Sequence, residues 1–411
     1  MNRVYIETYG CTMNKADTEI MIGYLGDLYT EDIEKADIVI INSCGVKIQT
    51  ETKVLRRIRE LCDSKRVIVA GCLPRINPDS IDKRVYGILD PQSVNRVREV
   101  VEKVAKGERA EIFSENVDKS FFKKKRKGIT AVIPISEGCL GRCAYCGTKF
   151  ARGNLLSFDF DNLIDEARNA INNGYKQIFI TSQDTGCYGF DKNHRLPELL
   201  DSITEIEGKF RVRVGMMNPD NALKILDDLI RSYKSEKIYK FLHLPVQSGD
   251  NDVLRKMNRN YTVEDFEYII KRFREEIKGL YLCTDIIVGF PGESEENFKN
   301  TVELIKRVKP DKINLTRYSI RPNTEAAKMK QVYGWIKKKR SRTVHDLRMK
   351  ISYEKNKEYV GKSYEVLVIK KGKENMMGRI FNYKPVVVNG DIGEFKIVKI
   401  RRAAPTYLIG V

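Results

Sequence analysis

Long hydrophobic runs are absent from this sequence, and so is any pattern of paired cysteines. No stretch of 18 or more apolar residues occurs, which predicts that no helix spans a membrane. The first residues enter a strand-like pattern without the apolar segment of a secretory signal, so a cytoplasmic location is expected. Nine cysteines are an odd number, and without a secretory signal they favour reduced thiols that can bind metal over a disulfide framework.

Acidic residues are outnumbered by basic ones. The chain has 411 residues, with 74 lysines and arginines against 56 aspartates and glutamates, which gives a net charge of +18. Such an excess indicates an anionic partner, most simply a nucleic acid, although a lysine-rich proteome could also produce it. The length allows two or three domains.

Three cysteines follow the apolar run at residues 131–135 with the spacing C-x-x-x-C-x-x-C. Cys139, Cys143 and Cys146, hereafter the second cysteine trio, lie in a short loop that also contains glycine. Three thiolates can hold three irons of a [4Fe–4S] cluster and leave the fourth iron open. A structural zinc site normally needs four ligands, and no further cysteine or histidine lies nearby in the sequence. Zinc and unligated thiols remain as alternatives.

Three further cysteines each follow a predicted strand of the N-terminal region. Cys11, Cys44 and Cys72, hereafter the first cysteine trio, come after strands predicted at 4–8, 38–42 and 67–70. Parallel strands place their carboxyl ends at one edge of the sheet, so these thiols are expected to meet there. We interpret them as the ligands of a second cluster; the alternative is three small buried thiols.

The pattern of elements predicts an α/β protein in four parts. Residues 1–108 alternate strands and helices, as in a small doubly wound α/β domain. Residues 109–130 are predicted as a basic linker, which could be solvated or could grip a phosphate backbone. Residues 131–351 repeat strand and helix about six times, which predicts a partial (βα)6 barrel with a basic helical extension. Residues 352–411 contain short strands, which predict a small all-β barrel.

Polar loops at the carboxyl ends of the barrel strands are candidates for a cofactor pocket. Gln183 and Gln247 could bind ribose or amino-acid groups, or could simply be solvated. His243 is either a hydrogen-bonded structural residue or a ligand. In the C-terminal barrel, a nucleic-acid-binding surface is predicted at Lys396, Lys399, Arg401 and Arg402.

The second trio, with Tyr145 directly before its last cysteine, resembles the radical S-adenosylmethionine (SAM) superfamily. The whole chain resembles the methylthiotransferase family within it, through residues 8–14, 42–44, 71–72, 138–146, 243–249 and 284–293. That resemblance implies two [4Fe–4S] clusters on the six trio cysteines, SAM as cofactor, and an RNA-binding C-terminal barrel called TRAM. We expect SAM contacts from Tyr145, Gln183, Gln247 and Ser248.

Family members modify either tRNA or an aspartate of a ribosomal protein. The basic charge and residues 44–54 and 213–219 resemble the archaeal and eukaryotic branch, which adds a methylthio group at C2 of N6-threonylcarbamoyladenosine, 3′ of the anticodon. The alternatives are the ribosomal-protein branch, the branch acting on N6-isopentenyladenosine, and a non-catalytic iron–sulfur RNA-binding protein. The implied partners are the tRNA anticodon stem-loop, an electron donor and a sulfur source, and a monomer is expected.

Overall fold

The N-terminal part of the chain is a parallel sheet with helices on both faces. The computed structural model describes residues 2–372 and 375–411. The strands lie in the order β1 (Val4–Thr8), β2 (Ile38–Ser43), β3 (Arg66–Gly71), β4 (Gly87–Leu89) and β5 (Ala110–Ile112). The helices are α1 (Thr12–Leu25), α2 (Ile48–Cys62), α3 (Leu73–Ile76) and α4 (Val97–Ala105). Alternate strand residues pack against α1 and α4 on one face and against α2 on the other, as the buried β-branched runs require.

The segment predicted as a linker contributes to both neighbouring units. Strand β5 extends the N-terminal sheet beyond residue 108, so the boundary predicted there falls one strand short of the sheet edge. Several side chains of the basic run that follows form ion pairs within the protein, so they are neither free in solvent nor available to a phosphate. Lys124 and Arg126 pair with Glu166, and Lys127 pairs with Glu31. The run therefore ties the first domain to the second.

The second domain is the predicted partial barrel. Its strands are β6 (Thr130–Pro134), β9 (Gln177–Thr181), β10 (Arg211–Val214), β11 (Phe241–His243), β12 (Tyr281–Val288) and β13 (Lys312–Arg317). They form two parallel sheets in the orders β10-β9-β6 and β11-β12-β13, which a bridge between Val212 and Ile238 connects. A short hairpin, β7 (Ser136–Glu137) with β8 (Leu156–Ser157), stands at the end of β6.

Ten helices of the described chain accompany or follow these strands. Their bounds are α5 (Thr148–Arg152), α6 (Phe160–Asn172), α7 (Leu196–Glu205), α8 (Pro219–Lys224), α9 (Leu226–Tyr233), α10 (Asn251–Lys256), α11 (Val263–Glu276), α12 (Glu295–Val308), α13 (Glu325–Lys328) and α14 (Gly334–Lys357). Local chemistry sets several starts: the side chains of Asp159, Thr262 and Ser294 accept hydrogen bonds from the first turns of α6, α11 and α12. None of the described helices is long and apolar enough to cross a membrane.

The C-terminal part is a closed five-stranded barrel. Strands β14 (Ser363–Lys371), β15 (Met376–Arg379), β16 (Pro385–Val388), β17 (Phe395–Ala403) and β18 (Leu408–Gly410) close in the order β14-β15-β16-β18-β17. Alternating residues of these strands fill its interior, as expected for a small barrel. Buried polar contacts dock it on the second domain: the ammonium group of Lys384 donates to Asn356 at 2.6 Å, and Asn382 donates to the carbonyl of Gly279 at 2.8 Å.

Candidate functional site

The structure gathers the first cysteine trio at one edge of the N-terminal sheet. Thr8, Asn42 and Ala70 are register partners, so β1, β2 and β3 end at the same level. Cys44 and Cys72 follow the last residues of β2 and β3, whereas Cys11 precedes helix α1. Close backbone approach is possible because a glycine precedes Cys11 and Cys72. A Cβ atom on Gly10 would lie 2.9 Å from the Cβ of Cys44, and one on Gly71 would lie 2.4 Å from the carbonyl oxygen of Ser43.

Two buried amides hold this edge in shape. The amide of Asn14 donates to the side chain of Asn42 and to the carbonyl of Ser43, both at 3.0 Å. The amide of Asn42 donates back to the carbonyl of Asn14 at 2.7 Å. The thiol of Cys11 lies 3.3 Å from the side-chain oxygen of Asn14. The loop of Cys11 is therefore fastened to the strand that ends at Cys44.

Burial keeps the thiols of Cys44 and Cys72 protonated in the absence of a metal. It raises the pKa of Cys72 to about 12, and it also raises the pKa of Cys44. A coordinated metal cation would reverse this preference, because it deprotonates a thiol that binds it.

The second trio lies in the loop between β7 and α5. Gly138 makes the turn into this loop with a φ of 69°, and a Cβ atom there would meet the carbonyl of Asn154. A point at the Cβ position of Gly141 lies 3.6 Å from the sulfur of Cys143 and 3.7 Å from that of Cys139, so these two sulfurs face one space. Backbone bonds from Ala144 to Met257, and from Ala326 to Ala144, anchor the loop to the barrel rim.

A buried polar chain connects this loop with the end of β9. Arg259 donates to the sulfur of Cys143 at 2.9 Å and also to the side chain of Asn218. The backbone of Asn218 donates to Asp184 at 2.9 Å, and Asn221 donates to the same carboxylate at 2.8 Å. Burial raises the pKa of Asp184 to about 6. The guanidinium of Arg259 thus places a positive charge beside the second trio.

A four-membered ion network joins the two trios. Arg152 donates to Glu137 at 2.6 Å and to Asp17 at 2.7 Å. Lys119 lies 2.8 Å from Asp17 and 2.7 Å from Glu137. All four side chains are only 1% exposed. Glu137 directly precedes the loop of the second trio. Burial opposes the charge on Arg152, but the carboxylates of Asp17 and Glu137 raise its pKa, and Cys72 and Cys11 lie close enough to add to this effect once deprotonated.

Apolar contact brings the two loops together as well. Cys72 and Ile76 form one buried cluster with Ala151 of α5, the helix that follows the second trio. Arg321, on the loop after β13, donates to the carbonyl of Gly45 at 2.8 Å. The edge of the N-terminal sheet therefore lies over the carboxyl ends of the barrel strands.

The predicted SAM contacts have different surroundings. The side-chain oxygen of Gln183 is buried without a hydrogen-bond partner among the described residues, which suits a ligand contact. Gln247 has a φ of 67° and bridges to Ile286 at the barrel rim. Tyr145 packs edge-on against Phe290 with ring centres 6.2 Å apart. Ser248 is fully buried, and its hydroxyl lies 3.4 Å from that of Thr301.

His243 points into the barrel rather than standing alone at a strand end. Its ring nitrogen lies 3.0 Å from a carboxylate oxygen of Asp285, and Asn314 donates to the same oxygen at 2.7 Å. Burial opposes the charge on His243, but Cys283 and Asp285 together raise its pKa to about 9. The three polar side chains form a hydrogen-bonded group on the inner face of β11, β12 and β13.

Three of the four basic residues predicted to bind nucleic acid are exposed on β17. Lys399, Arg401 and Arg402 point outward, and Ile397 on the same strand is 70% exposed. Lys396 is less exposed than the other three, and its ammonium group donates to the carbonyl of Asn389 at 2.9 Å. The exposed face of this strand therefore carries a compact positive charge.

Sequence reasoning missed the residues that support the trios. Asn14 and Asn42 stand within the motifs that carry the family resemblance, so their position beside the cysteines was the available signal. Arg152, Lys119 and Arg259 gave none, because their partners lie far away in the sequence. Among the residues that the structure describes, no three His, Cys, Asp or Glu side chains surround a point that fits a single metal ion.

Three family models match successive parts of the chain. The model described as "Uncharacterized protein family UPF0004" matches residues 3–88, the Radical SAM superfamily matches residues 133–305, and the TRAM domain matches residues 357–411. The three matches follow the order of the α/β sheet, the partial barrel and the closed barrel.

Curated relatives match the full length. A protein of Pyrococcus abyssi named "Probable threonylcarbamoyladenosine tRNA methylthiotransferase" is 52% identical and covers 100% of this chain and 99% of its own length. A protein of the same name from Archaeoglobus fulgidus is 49% identical, covering 99% of this chain and 98% of its own.

A solved structure supports the fold. The radical S-adenosylmethionine methyltransferase TsrM from Kitasatospora setae, with cobalamin and a [4Fe–4S] cluster bound, superposes with a TM-score of 0.57. The two chains share 14% identity over 80% of this chain and 77% of TsrM, so the similarity concerns the fold alone.

Proposed function

This chain belongs to the threonylcarbamoyladenosine tRNA methylthiotransferase family, and we propose that its two cysteine trios hold the two [4Fe–4S] clusters of the enzyme. It is a radical SAM methylthiotransferase that acts on tRNA. The reaction adds a methylthio group at C2 of N6-threonylcarbamoyladenosine, 3′ of the anticodon. The convergence of Cys11, Cys44 and Cys72 at one sheet edge above the barrel carries the proposal.

The donor sets fit such clusters. Each trio supplies three soft thiol ligands, the type that binds iron–sulfur clusters, and each has an arginine beside it. With SAM, the clusters supply a 5′-deoxyadenosyl radical and the methylthio group, chemistry that side chains alone do not provide. The role of the protein is to hold the two loops at a fixed separation, to exclude water and to present the base.

The trios have distinct roles in this proposal. Cys139, Cys143 and Cys146 would hold the cluster that supplies radical chemistry with SAM, and Gln183, Gln247 and Tyr145 are proposed to contact SAM near it. Cys11, Cys44 and Cys72 would hold the cluster that supplies the sulfur chemistry. The buried ion network between them limits relative movement, since breaking it would leave charges unpaired.

The substrate reaches this site as a single-stranded base. Anticodon-loop bases are unpaired, so extruding one costs less than it would in a duplex. Lys399, Arg401 and Arg402 on β17 are proposed to bind the tRNA backbone. We also propose that the enzyme is a cytoplasmic monomer and that separate donors supply its electrons and its sulfur. Enzymes that modify isopentenyladenosine or a ribosomal protein were the alternatives, and the names of the curated relatives favour the threonylcarbamoyl branch.

Cysteine variants test the division of labour. Cys143→Ala should abolish the formation of 5′-deoxyadenosine from SAM, because one ligand of the radical cluster is lost. Cys44→Ala should keep 5′-deoxyadenosine formation and lose methylthio transfer. Both products can be measured by liquid chromatography and mass spectrometry, with anaerobically reconstituted protein and an anticodon stem-loop that carries threonylcarbamoyladenosine.

The matched control is Cys62→Ser, because Cys62 ends helix α2 away from both trios. This variant should keep both activities. Loss of 5′-deoxyadenosine in Cys44→Ala would contradict the assignment of separate roles. Unchanged 2-methylthio nucleosides in the tRNA of cells that lack the protein would contradict the function itself.

A further inference from the structure

The interior of the partial barrel is a cavity rather than a packed core. Residues that are paired across neighbouring strands face the same side of the sheet, so every second residue of each strand points inward. Most of these inward residues are aromatic or polar, whereas branched aliphatic residues fill the interior of a closed barrel. They surround a cavity of about 430 Å³, large enough for part of a nucleoside. Its wall includes Thr12, the residue after Cys11, and reaches Tyr383 of the C-terminal barrel.

Arg213 is the unusual residue of this wall. Its guanidinium carbon lies 5.1 Å from the ring centre of Phe179, 5.0 Å from Phe241 and 5.2 Å from Tyr383. Such rings stabilise the cation, while the N–H donors in the guanidinium plane stay available. No residue within 2–372 or 375–411 gives Arg213 a hydrogen bond or an ion pair, and its Nε is buried without a partner. Three aromatic rings surround this guanidinium and its Nε has no partner in the described chain, so its unused donors suit an anion.

The cavity offers no free carboxylate among the described residues to fill that role. Asp311 lies on its wall but pairs with Lys355 and Lys384. Asp285 accepts from His243 and Asn314. Two further arginines on the wall, Arg348 and Arg379, also have a buried Nε without a partner in the described chain. The wall is therefore electropositive, and its anion is expected to come from a ligand.

We propose that Arg213 binds the carboxylate of the threonyl group on the substrate base. This inference rests on the proposed function. The threonylcarbamoyl group carries a carboxylate that is ionised at neutral pH, and adenosine and isopentenyladenosine lack it. The N6 group is attached to C6 of the six-membered ring that also contains C2, so one cavity lined by both Arg213 and Thr12 can take the N6 group while C2 stays close to the first cysteine trio. The enclosed position of Arg213 suits a base substituent better than a phosphate of the RNA backbone.

The C-terminal barrel completes this pocket. Tyr383 lies in the turn between β15 and β16, where its backbone φ is 70°. This turn faces the interior of the partial barrel. The neighbours Asn382 and Lys384 are buried and anchored to the second domain. The small domain thus serves substrate selection as well as RNA binding.

The test compares two anticodon stem-loops that differ in one group of the substrate base. One carries threonylcarbamoyladenosine, and the other carries the same nucleoside with its carboxylate converted to the neutral, nearly isosteric primary amide. The full-length enzyme with both clusters reconstituted is assayed for its catalytic efficiency (kcat/KM) in methylthio transfer to each RNA. The wild type should prefer the acid by about 10- to 100-fold, the size expected for a charge-assisted pair. Arg213→Gln should lose that preference, so that the acid and the amide are used with similar efficiency.

Two control variants distinguish the loss of carboxylate recognition from a general loss of structure. Arg211→Gln changes an arginine on the same strand that pairs with Glu365, and it should keep the wild-type preference. Arg213→Lys keeps the charge and should retain part of the preference. Equal use of both stem-loops by the wild type, or an unchanged preference in Arg213→Gln, would overturn the inference. Failure of the wild type to modify either RNA, although SAM is cleaved, would count against the proposed function instead.

Discussion

An arginine stands beside each cysteine trio. Arg152 is linked electrostatically to Cys72 and Cys11, and Arg259 donates to the sulfur of Cys143. Thiolates that hold a cluster carry negative charge, and a buried negative charge needs a partner. The two guanidinium groups supply that partner, one beside each trio.

The protonation of His243 gives a prediction at the residue scale. Its folded pKa of about 9 lies above the ordinary value of 6.5, so the folded protein binds this proton more tightly than the unfolded chain. The stabilisation is full below pH 6.5 and disappears as the pH rises through 9, and its size is at most about 3 kcal/mol.

Denaturant unfolding of wild type and His243→Gln at pH 6 and pH 9.5 measures this effect. The wild type should lose more stability between the two pH values than the variant does. Parallel pH dependence in both proteins would mean that another group is responsible.

The segment at residues 109–130 connects the first two domains through strand pairing and ion pairs. It adds β5 to the N-terminal sheet, places Lys119 in the ion network and pairs Lys124 with Glu166 of α6. Asp17 lies on α1, and Glu137 ends the short strand β7. Elements of different domains thus share one set of buried charges, which fixes the position of one cysteine loop relative to the other.

Lys119→Met tests this element. Removing one member of a buried ion network leaves its carboxylate partners uncompensated, so the free energy of unfolding should fall by about 3 to 5 kcal/mol. Lys103→Met is the control, because Lys103 is exposed and lies 3.7 Å from Glu99 one turn away. That change should cost less than about 1 kcal/mol. Similar costs for both variants in denaturant unfolding would show that the network does not stabilise this segment.

At the scale of the whole molecule, the C-terminal barrel presents charge outward and aromatic surface inward. Lys399 and Arg401 are exposed on β17, while Tyr383 enters the floor of the second domain. A tRNA is large enough to contact this outer face while one of its bases enters the barrel mouth. The net charge of +18 strengthens long-range attraction, but local placement decides where the RNA binds.

The double variant Lys399→Gln, Arg401→Gln tests the RNA surface. Each lost phosphate contact should lower the slope of log binding constant against log salt by about 0.7 to 0.9. Filter binding of tRNA at several salt concentrations measures the slope. Lys306→Gln, on α12 and paired with Glu303, should leave it unchanged. An unaltered slope in the double variant would place the RNA elsewhere.

Local patterns in the sequence were sufficient for the elements and for the cysteine positions. The strands predicted at 4–8, 38–42 and 67–70 are found at Val4–Thr8, Ile38–Ser43 and Arg66–Gly71, because the apolar pattern of a strand acts over a few residues. The cysteines were also predictable, since each thiol is tied to a strand end. The partial (βα)6 barrel and the closed β-barrel follow from the order of elements.

Only the tertiary structure decided which distant side chains meet. Arg152 and Asp17 are 135 residues apart, and Arg213 meets Tyr383 only because one domain docks into the floor of another. No local pattern encodes such pairs. From the sequence alone, a single lysine or arginine is predicted to be an exposed charge, and only the fold shows which partner lies beside it. Burial then turns that ordinary charge into a strong constraint, because a desolvated ion must have a partner.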